Sequence, residues 1–334
     1  MRKIGFFGLL SALLLTLTTS CSSSESKISE LTIYSGRTEE YIAPYFAIWQ
    51  KESGVKLNIR YGDSAELAAQ ILEEGKNSPA DLFISQDAGS LGAVAEQGLL
   101  APLPKDVAEE IPTKYIQANR EWVGLTARVR VFAYAPDRVK VLPTSFTDLS
   151  KPIYKDQVAI APTNASFQAF LTAVISNKGL PFAEDWLRKV KANGAKIYPK
   201  NSAIVEAIDK GEVSIGLVNH YYVWEVAEAL GRPINVKNGY FKANDLGNLI
   251  NVSGVGILAS SGKKVKAEDF INFLTSARIQ SRFVSDIHEY SLLENIPIPE
   301  DLPPLSDLGA PNIDLEVLKN TKKTQDLLIK VGLL

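Results

Sequence analysis

Along the first hundred positions, the apolar residues alternate between the spacing typical of β-strands and the spacing typical of α-helices. Three short runs rich in β-branched and aromatic residues are typical of strands, and they lie at 31–34, 56–61 and 81–84. Helical patterns follow each run. In the first pattern, the apolar residues at helical spacing are Ile42, Tyr45, Phe46 and Trp49. The second is bounded by Asp63, a capping residue, and by Gly75, a stop residue. This strand–helix order predicts an α/β unit with a largely parallel sheet.

The second half of the chain repeats the same order. Its strand patterns cover 123–134, 154–161 and 213–218. A further strand pattern lies at 255–259, and the last three helical patterns lie at 267–275, 279–286 and 314–331. We therefore expect two α/β lobes, one formed by 30–128 and 251–305 and the other by 129–250, followed by a C-terminal helical segment at 306–334. The chain would cross between the lobes near 127–130 and 250–253.

The N-terminus has the pattern of an export signal. Arg2 and Lys3 precede an apolar stretch at 4–17, which is too short to span a membrane as a typical helix. We expect residues 1–20 to be a signal peptide. Cys21 resembles the lipidated cysteine of bacterial lipoproteins, with 21–29 as a polar tether; the alternative is a plain secretory peptide that leaves Cys21 free. The mature protein would then lie in the periplasm or at the outer face of the cytoplasmic membrane, anchored to it by lipid.

The composition narrows the class of protein. The chain has 334 residues, of which 46% are hydrophobic and 22% are charged, as in a globular protein of two domains. A net charge of −2 gives no support to nucleic-acid binding. One cysteine and two histidines exclude an intrachain disulfide and most histidine-rich metal sites. Two α/β units behind an export signal favour a hinged solute-binding protein with its ligand in the cleft between the lobes.

Two adjacent tyrosines stand where α/β proteins commonly bind ligands. Tyr221 and Tyr222 follow the strand pattern at 213–218 and open a helix. Phenolate oxygen is hard and anionic and suits a hard trivalent cation, although the free phenol has a pKa near 10 and a metal must drive its deprotonation. The alternative is structural, with one ring in the core and the other at the surface.

Other residues are candidates for binding an anion. The loop at 162–166 precedes a helix, so its N–H groups are available to an anion, or its Asn164 and Ser166 simply cap that helix. Arg128 and Arg130 are two apart on an extended segment and face one side, and Arg37 follows a Ser-Gly turn at the end of the first strand. Each arginine is alternatively a solvated salt-bridge partner. Enzyme motifs are absent: the chain has no G-x-S-x-G elbow, P-loop or zinc-protease motif.

Five sequence blocks occur in an order that resembles one family. They are Leu31–Glu39, Ser78–Phe83, Ala161–Phe170, Val218–Tyr222 and Gly254–Ala259. Together they resemble the ferric-iron-binding proteins of bacterial ABC transporters, over essentially the whole mature chain. The resemblance implies a periplasmic-binding-protein-like fold of type II that closes by a hinge. It also implies high-spin Fe(III) as the ligand, completed by a synergistic anion, carbonate or phosphate.

The resemblance also implies roles for individual residues. Tyr221 and Tyr222 match the two phenolate ligands of the family. The positions that bind the anion in phosphate-using members are Asn164, Ala165, Asn201 and Asn219. Arg37 and Arg128 fall where carbonate-using members hold their anion.

Three positions depart from the family pattern. Thr38 stands where some members have histidine, Gln86 where some have glutamate, and Phe167 where others have a third tyrosine. Thr38 and Gln86 remain further candidates for the cleft, whereas Phe167 fits the apolar face of its helix. The implied first shell is thus two phenolates, an anion and water.

The resulting hypothesis is a monomeric binding protein, not an enzyme, that delivers Fe(III) to a membrane permease and its ATPase. The alternative on the same fold is a binder of a polyamine, thiamine or an oxyanion such as sulfate. That ligand would need an acidic pair or stacking on aromatic rings, for which Trp122, Trp186 and Trp224 are available. An exported hydrolase is disfavoured because the nucleophile motifs are absent.

Overall fold

The computed structural model describes residues 30–300 and 302–334. The signal peptide, the tether and the lipidation of Cys21 lie outside this range and stay predictions. The described strands are β1 (Glu30–Ser35), β2 (Lys56–Tyr61), β3 (Leu82–Ser85), β4 (Leu100–Ala101), β5 (Val123–Tyr134), β6 (Val158–Ile160), β7 (Lys196–Ile197), β8 (Ile215–Asn219), β9 (Lys237–Gly239), β10 (Ile250–Leu258) and β11 (Tyr290–Ser291). The described α-helices are α1 (Glu39–Ser53), α2 (Ser64–Glu74), α3 (Ala88–Glu96), α4 (Ala165–Lys178), α5 (Leu180–Ala192), α6 (Asn201–Asp209), α7 (Tyr222–Leu230), α8 (Lys264–Thr275), α9 (Ala277–Ile287) and α10 (Thr321–Lys330).

The sheet confirms the predicted α/β organisation. Its main strand order is β2-β1-β3-β10-β5-β8-β6-β7. In one half β1 pairs in parallel with β2 and β3, and in the other half β6 pairs in parallel with β7 and β8. The long strands β5 and β10 lie between the two halves and run antiparallel to their neighbours. The parallel pairs therefore lie within the halves, and the antiparallel pairs join them.

Strand β5 changes partners along its length. Its residues as far as Val129 pair with β10, and its residues from Arg130 onward pair with β8. Ile250 lies opposite Val129 at the start of β10. The two segments predicted to cross between the lobes are thus neighbours in one ladder. The lobe boundaries stay a prediction, which this change of pairing partner supports.

Apolar packing covers both halves of the sheet. The helix face predicted in α1 is buried, and Phe46 and Trp49 contact the ring of Phe270 from α8. In the other half, the rings of Phe146, Phe170 and Trp186 meet edge to face with centroids 5.2–5.7 Å apart. Such edge-to-face pairs add to the stabilisation that burial alone provides.

The ends of one helix follow the predicted signals. The Asp63 side chain accepts a hydrogen bond from the Ala65 N–H at the start of α2. Gly75 ends this helix with a φ of 56°, a conformation that glycine adopts without a steric penalty. Both ends of α2 therefore confirm the predicted capping and stop residues.

Three element boundaries were predicted wrongly. The strand predicted at 154–161 is confined to β6, because a 3₁₀ turn occupies Pro152–Tyr154. The strand predicted at 255–259 begins earlier, at Ile250, where pairing with β5 extends it. The C-terminal helix predicted at 314–331 is divided into a 3₁₀ helix, Leu315–Lys319, and α10.

The division of the C-terminal helix has a packing reason. The 3₁₀ helix lies against α3, where a Cβ on Gly89 would come within 2.7 Å of the Leu318 carbonyl oxygen. Glycine at this position therefore allows the two backbones to approach, and this tertiary contact outweighs the helical periodicity of the sequence. Within 30–300 and 302–334, no helix has both the length and the apolar character that a membrane crossing requires.

Candidate metal and anion site

The tyrosine pair lies at the junction of β8 and α7. Strand β8 ends at Asn219, and Tyr221 is the residue that caps the N-terminus of α7. The two phenol rings are 4.5 Å apart with an interplanar angle of 30°, and their hydroxyls are within hydrogen-bonding reach of each other. Burial raises the pKa of both phenols, most strongly that of Tyr222, whereas the charge of Arg128 opposes this shift. Both phenols are therefore neutral at pH 7 until a cation displaces their protons.

A small polar cavity of about 100 Å³ adjoins the tyrosine pair. Five of its lining residues were candidates from the sequence, namely Arg37, Thr38, Gln86, Tyr221 and Tyr222. Three more were not recognised, and they are Tyr41, Glu225 and Glu289. The cavity thus draws on both predicted lobes, with the tyrosine pair and Glu225 on one side and the other five residues on the opposite side.

Arg37 reaches the cavity from the loop between β1 and α1. A Cβ on the preceding Gly36 would lie 2.1 Å from Ser64 Oγ, so the close approach of this loop to α2 requires glycine. The Arg37 guanidinium forms a buried ion pair with Glu289, with an N–O distance of 2.9 Å. Part of its hydrogen-bonding capacity is therefore already used before any anion binds.

Glu289 is held from several directions. Strand β11 pairs with β5 and places Tyr290 opposite Ala127, so that Glu289 lies near Arg128. The Thr126 hydroxyl donates a hydrogen bond to the carboxylate. Burial alone would raise the pKa of Glu289, but Arg37, Arg128 and this hydrogen bond lower it below the usual value. Glu289 is therefore an ionised counter-charge for the two arginines.

The residues implied to bind phosphate form a second polar cluster. The Asn201 amide donates to Asn164 Oδ1 and to Ser166 Oγ, at 3.3 Å and 3.1 Å, and Ser166 also accepts from Arg130 at 2.9 Å. Asn164 caps α4, whose first residue is Ala165. The capping role, which was the alternative interpretation of this loop, is therefore observed. None of these residues lines the small cavity. Their anion-binding role stays a prediction.

Neighbouring residues connect this cluster to the tyrosines. Asn219 is buried and lies opposite Arg130 across the β5–β8 ladder. Burial lowers the pKa of Arg130 to about 9, while the tyrosine pair opposes the shift.

Asn201 Oδ1 is buried and has no hydrogen-bond partner among the described residues. Phe167 is fully buried on its apolar helix face, as predicted, and lies 5.7 Å from the Arg130 guanidinium.

His220 is occupied by the backbone rather than available to a ligand. Its Nδ1 accepts from the Val129 N–H at 3.3 Å, so Nε2 carries the proton and donates to the His288 carbonyl at 2.7 Å. Burial lowers the pKa of the imidazole to about 4. Both ring nitrogens are thus used, and His220 is neutral at pH 7. No group of three His, Cys, Asp or Glu side chains in the described part of the chain is arranged to hold a metal.

A two-lobed α/β fold with a small polar cavity between the lobes defines the class of hinged solute-binding proteins. The family model for bacterial extracellular solute-binding proteins matches residues 77–311. The chain is 33% identical over 308 residues to the Fe(3+)-binding periplasmic protein of Serratia marcescens, covering 91% of this chain and 90% of the relative. It therefore belongs to the bacterial extracellular solute-binding protein family.

Solved structures agree with this assignment. Iron-bound HitA from Pseudomonas aeruginosa is 33% identical, with a TM-score of 0.85 over 91% of this chain and 99% of that one. A Trichodesmium protein in complex with iron and citrate is 26% identical, with a TM-score of 0.81 over 92% and 100% of the two chains. These likenesses confirm the periplasmic-binding-protein-like fold expected from the sequence and the resemblance to ferric-binding proteins.

Proposed function

We propose that this protein captures Fe(III) in the cavity between its lobes and delivers it to a membrane permease with its ATPase. The observation that carries the proposal is the adjacent pair of Tyr221, which is buried, and Tyr222, which is half-buried, near Arg37 and Arg128. Its relatives support the metal: the Serratia protein is named for Fe(3+) binding, and HitA was solved with iron bound. The test is metal analysis and a visible spectrum of protein loaded with ferric citrate, because ferric phenolate absorbs visible light.

The phenols explain a preference for a hard trivalent cation. Neither phenol ionises on its own at pH 7, because burial raises both pKa values. Fe(III) is a strong enough Lewis acid to displace the phenol protons, and the two phenolates then neutralise part of its charge. A synergistic anion, carbonate or phosphate, would complete the coordination next to the arginines. A binding role rather than an enzymatic one follows from this chemistry.

The cavity disfavours the larger alternative ligands. Its volume of about 100 Å³ is well below the roughly 300 Å³ at which pockets for organic ligands begin. Trp122 and Trp186 are buried in the cores and do not line it. A polyamine or thiamine would therefore lack space, whereas an ion with a small anion fits.

Export and anchoring complete the proposal. The family is named for extracellular proteins, and the N-terminal pattern of the sequence agrees with export. We infer that the mature chain works as a monomer in the periplasm or at the outer face of the cytoplasmic membrane, tethered there through Cys21.

Arg128→Ala should weaken ferric binding in carbonate buffer by at least about tenfold, since residues that support metal ligands typically contribute 10–100-fold. Arg128 acts electrostatically on both phenols and on Glu289. Arg128→Lys should recover only part of the affinity, because an ammonium lacks the planar fork that matches carbonate. Competition with citrate, with and without carbonate, measures the effect. The exposed Arg60→Ala is the matched control, and equal affinities in all variants would exclude the role of Arg128.

Ferric loading should shrink the radius of gyration measured by solution scattering. Residues from both predicted lobes line the cavity, so a bound ion favours the closed form. Loading should also stabilise the folded state, by about 2.7 kcal/mol when free iron is 100 times the Kd. A scattering curve that is identical before and after loading would contradict closure without contradicting iron binding.

A further inference from the structure

A carboxylate that belongs to no predicted ligand set lines the cavity beside the tyrosine pair. Glu225 lies on α7, three residues after Tyr222 and four after Tyr221. This spacing places all three side chains on one face of the helix. Helix α7 therefore presents two phenols and a carboxylate to the same small space.

One oxygen of this carboxylate is unsatisfied. Glu225 Oε2 is buried and has no hydrogen-bond partner among the described residues. Leaving a buried acceptor unpaired is unfavourable, and a carboxylate oxygen is more costly than a neutral one. Glu289, the other acid in the cavity, is in contrast held by Arg37 and Thr126. Glu225 is thus the acid in the cavity that still has an oxygen without a partner.

Tyr41 faces Glu225 from the opposite side. It lies in the first turn of α1, and its hydroxyl is within hydrogen-bonding reach of the Glu225 carboxylate. The Tyr41 hydroxyl is the donor in this contact, because a carboxylate oxygen only accepts. The contact joins the two predicted lobes across the cavity.

We propose that Glu225 is a direct ligand of the ferric ion and that Tyr41 is the positioning residue that holds its carboxylate across the cleft. This inference rests on the proposed function. It supplies the anionic protein ligand that Gln86 and Phe167 do not provide.

Charge counting agrees with this ligand set. Two phenolates and one carboxylate carry −3, which balances the +3 of Fe(III). Arg37 is already neutralised by Glu289 in a buried ion pair. Arg128 then remains as the positive charge for the synergistic anion. A ferric ion bound by the tyrosine pair without Glu225 would leave the buried Glu225 Oε2 without a partner beside it.

The decisive variant is Glu225→Gln, which keeps the shape of the side chain and removes its charge. We expect ferric affinity, measured by competition with citrate, to fall by more than about 100-fold, beyond the 10–100-fold typical of supporting residues. The phenolate-to-iron absorption band should also move to longer wavelength, since an iron that loses an anionic donor accepts electrons more readily. Glu225→Asp should restore part of the affinity. Glu228→Gln, an exposed change one turn along the same helix, is the matched control and should have no effect.

Tyr41→Phe tests the positioning role. We expect it to weaken binding by about tenfold, within the range for residues that orient ligands, and to leave the absorption maximum unchanged. Combining it with Glu225→Gln should add no further loss, because Tyr41 acts through Glu225.

The outcomes separate this inference from the proposed function. Wild-type protein that takes up no iron would overturn the proposed function and this ligand with it. Wild-type protein that binds iron while Glu225→Gln binds equally well overturns direct ligation alone. A weakened Glu225→Gln with an unchanged absorption maximum also overturns direct ligation, because a structural effect lowers affinity without altering the donor set. Thermal unfolding of each variant without iron shows whether the fold is intact.

Discussion

Tyr221→Phe and Tyr222→Phe should each remove most ferric binding, and the double variant should take up no iron and show no visible absorption band. Each change deletes one oxygen and keeps a ring of nearly the same volume, so the two tilted rings, with centroids 4.5 Å apart, should still pack. The loss follows because each phenolate supplies both a donor atom and one of the charges that neutralise Fe(III). We expect an affinity loss of more than about 100-fold for each single variant, above the range for supporting residues.

Equilibrium competition with citrate and the visible spectrum measure this effect together. Tyr134→Phe is the matched control, because Tyr134 lies at the end of β5 and does not line the cavity. Thermal unfolding without iron should differ little among the variants. If the double variant binds as much iron as the wild-type protein, the proposed site is refuted.

Glu289→Gln should destabilise the protein strongly even without any ligand. The Arg37–Glu289 pair is almost completely buried, with side chains 4% and 3% exposed. Removing one partner leaves the other charge buried without compensation, which typically costs about 3–5 kcal/mol in the free energy of unfolding. Urea denaturation of the iron-free protein at pH 7 measures the change. Glu294→Gln, an exposed neighbour, should have little effect.

The loss of stability caused by Glu289→Gln should depend on pH in a defined direction. The pKa of Glu289 in the folded protein is below its usual value, because Arg37, Arg128 and Thr126 outweigh the opposing effect of burial. Such a group stabilises the folded state above its unfolded pKa, near 4.3, and this contribution is lost as the pH falls through the folded pKa. The difference in the free energy of unfolding between the wild-type protein and Glu289→Gln should therefore become smaller below about pH 4. Coincident denaturation curves at pH 7 would show that the ion pair does not stabilise the fold.

The sequence predicts the parts of the site that come from local patterns. Tyr221 and Tyr222 are adjacent at a strand-to-helix junction, and Arg37 follows a strand, so position alone directs them to the cleft edge. The structure brings both tyrosines and Arg37 to one cavity, together with Thr38 and Gln86. The fold follows similarly, since the periods of apolar residues identify most strands and helices before any tertiary contact is known.

The missed residues depend on contacts that a local pattern does not contain. Glu289 enters the site because β11 pairs with β5, more than 150 positions earlier in the chain. Tyr41 precedes Ile42 and Tyr45, which belong to the apolar face of α1. The period of these apolar residues identifies the face that packs in the core, but it does not indicate that Tyr41 faces the cleft. Glu225 was detectable, because its spacing from Tyr222 places both on one helix face, but an acid on an amphipathic helix is ordinarily read as surface.

The adjacency of β5 and β10 has a kinetic consequence. In the proposed hinge closure, two crossings that are hydrogen-bonded to each other favour a rotation about one axis. On the proposed boundaries, both tyrosines and Glu225 travel with one lobe while Arg37 and Tyr41 travel with the other. Opening therefore breaks the contacts to the second group and leaves the anionic donors together. If the protein binds Fe(III) as proposed, we expect the lobe that carries the tyrosines to set the association rate and the time for which the other lobe stays in place to set the dissociation rate. A permease that holds the lobes apart would then shorten the residence time of the ion without competing for its first oxygen ligands.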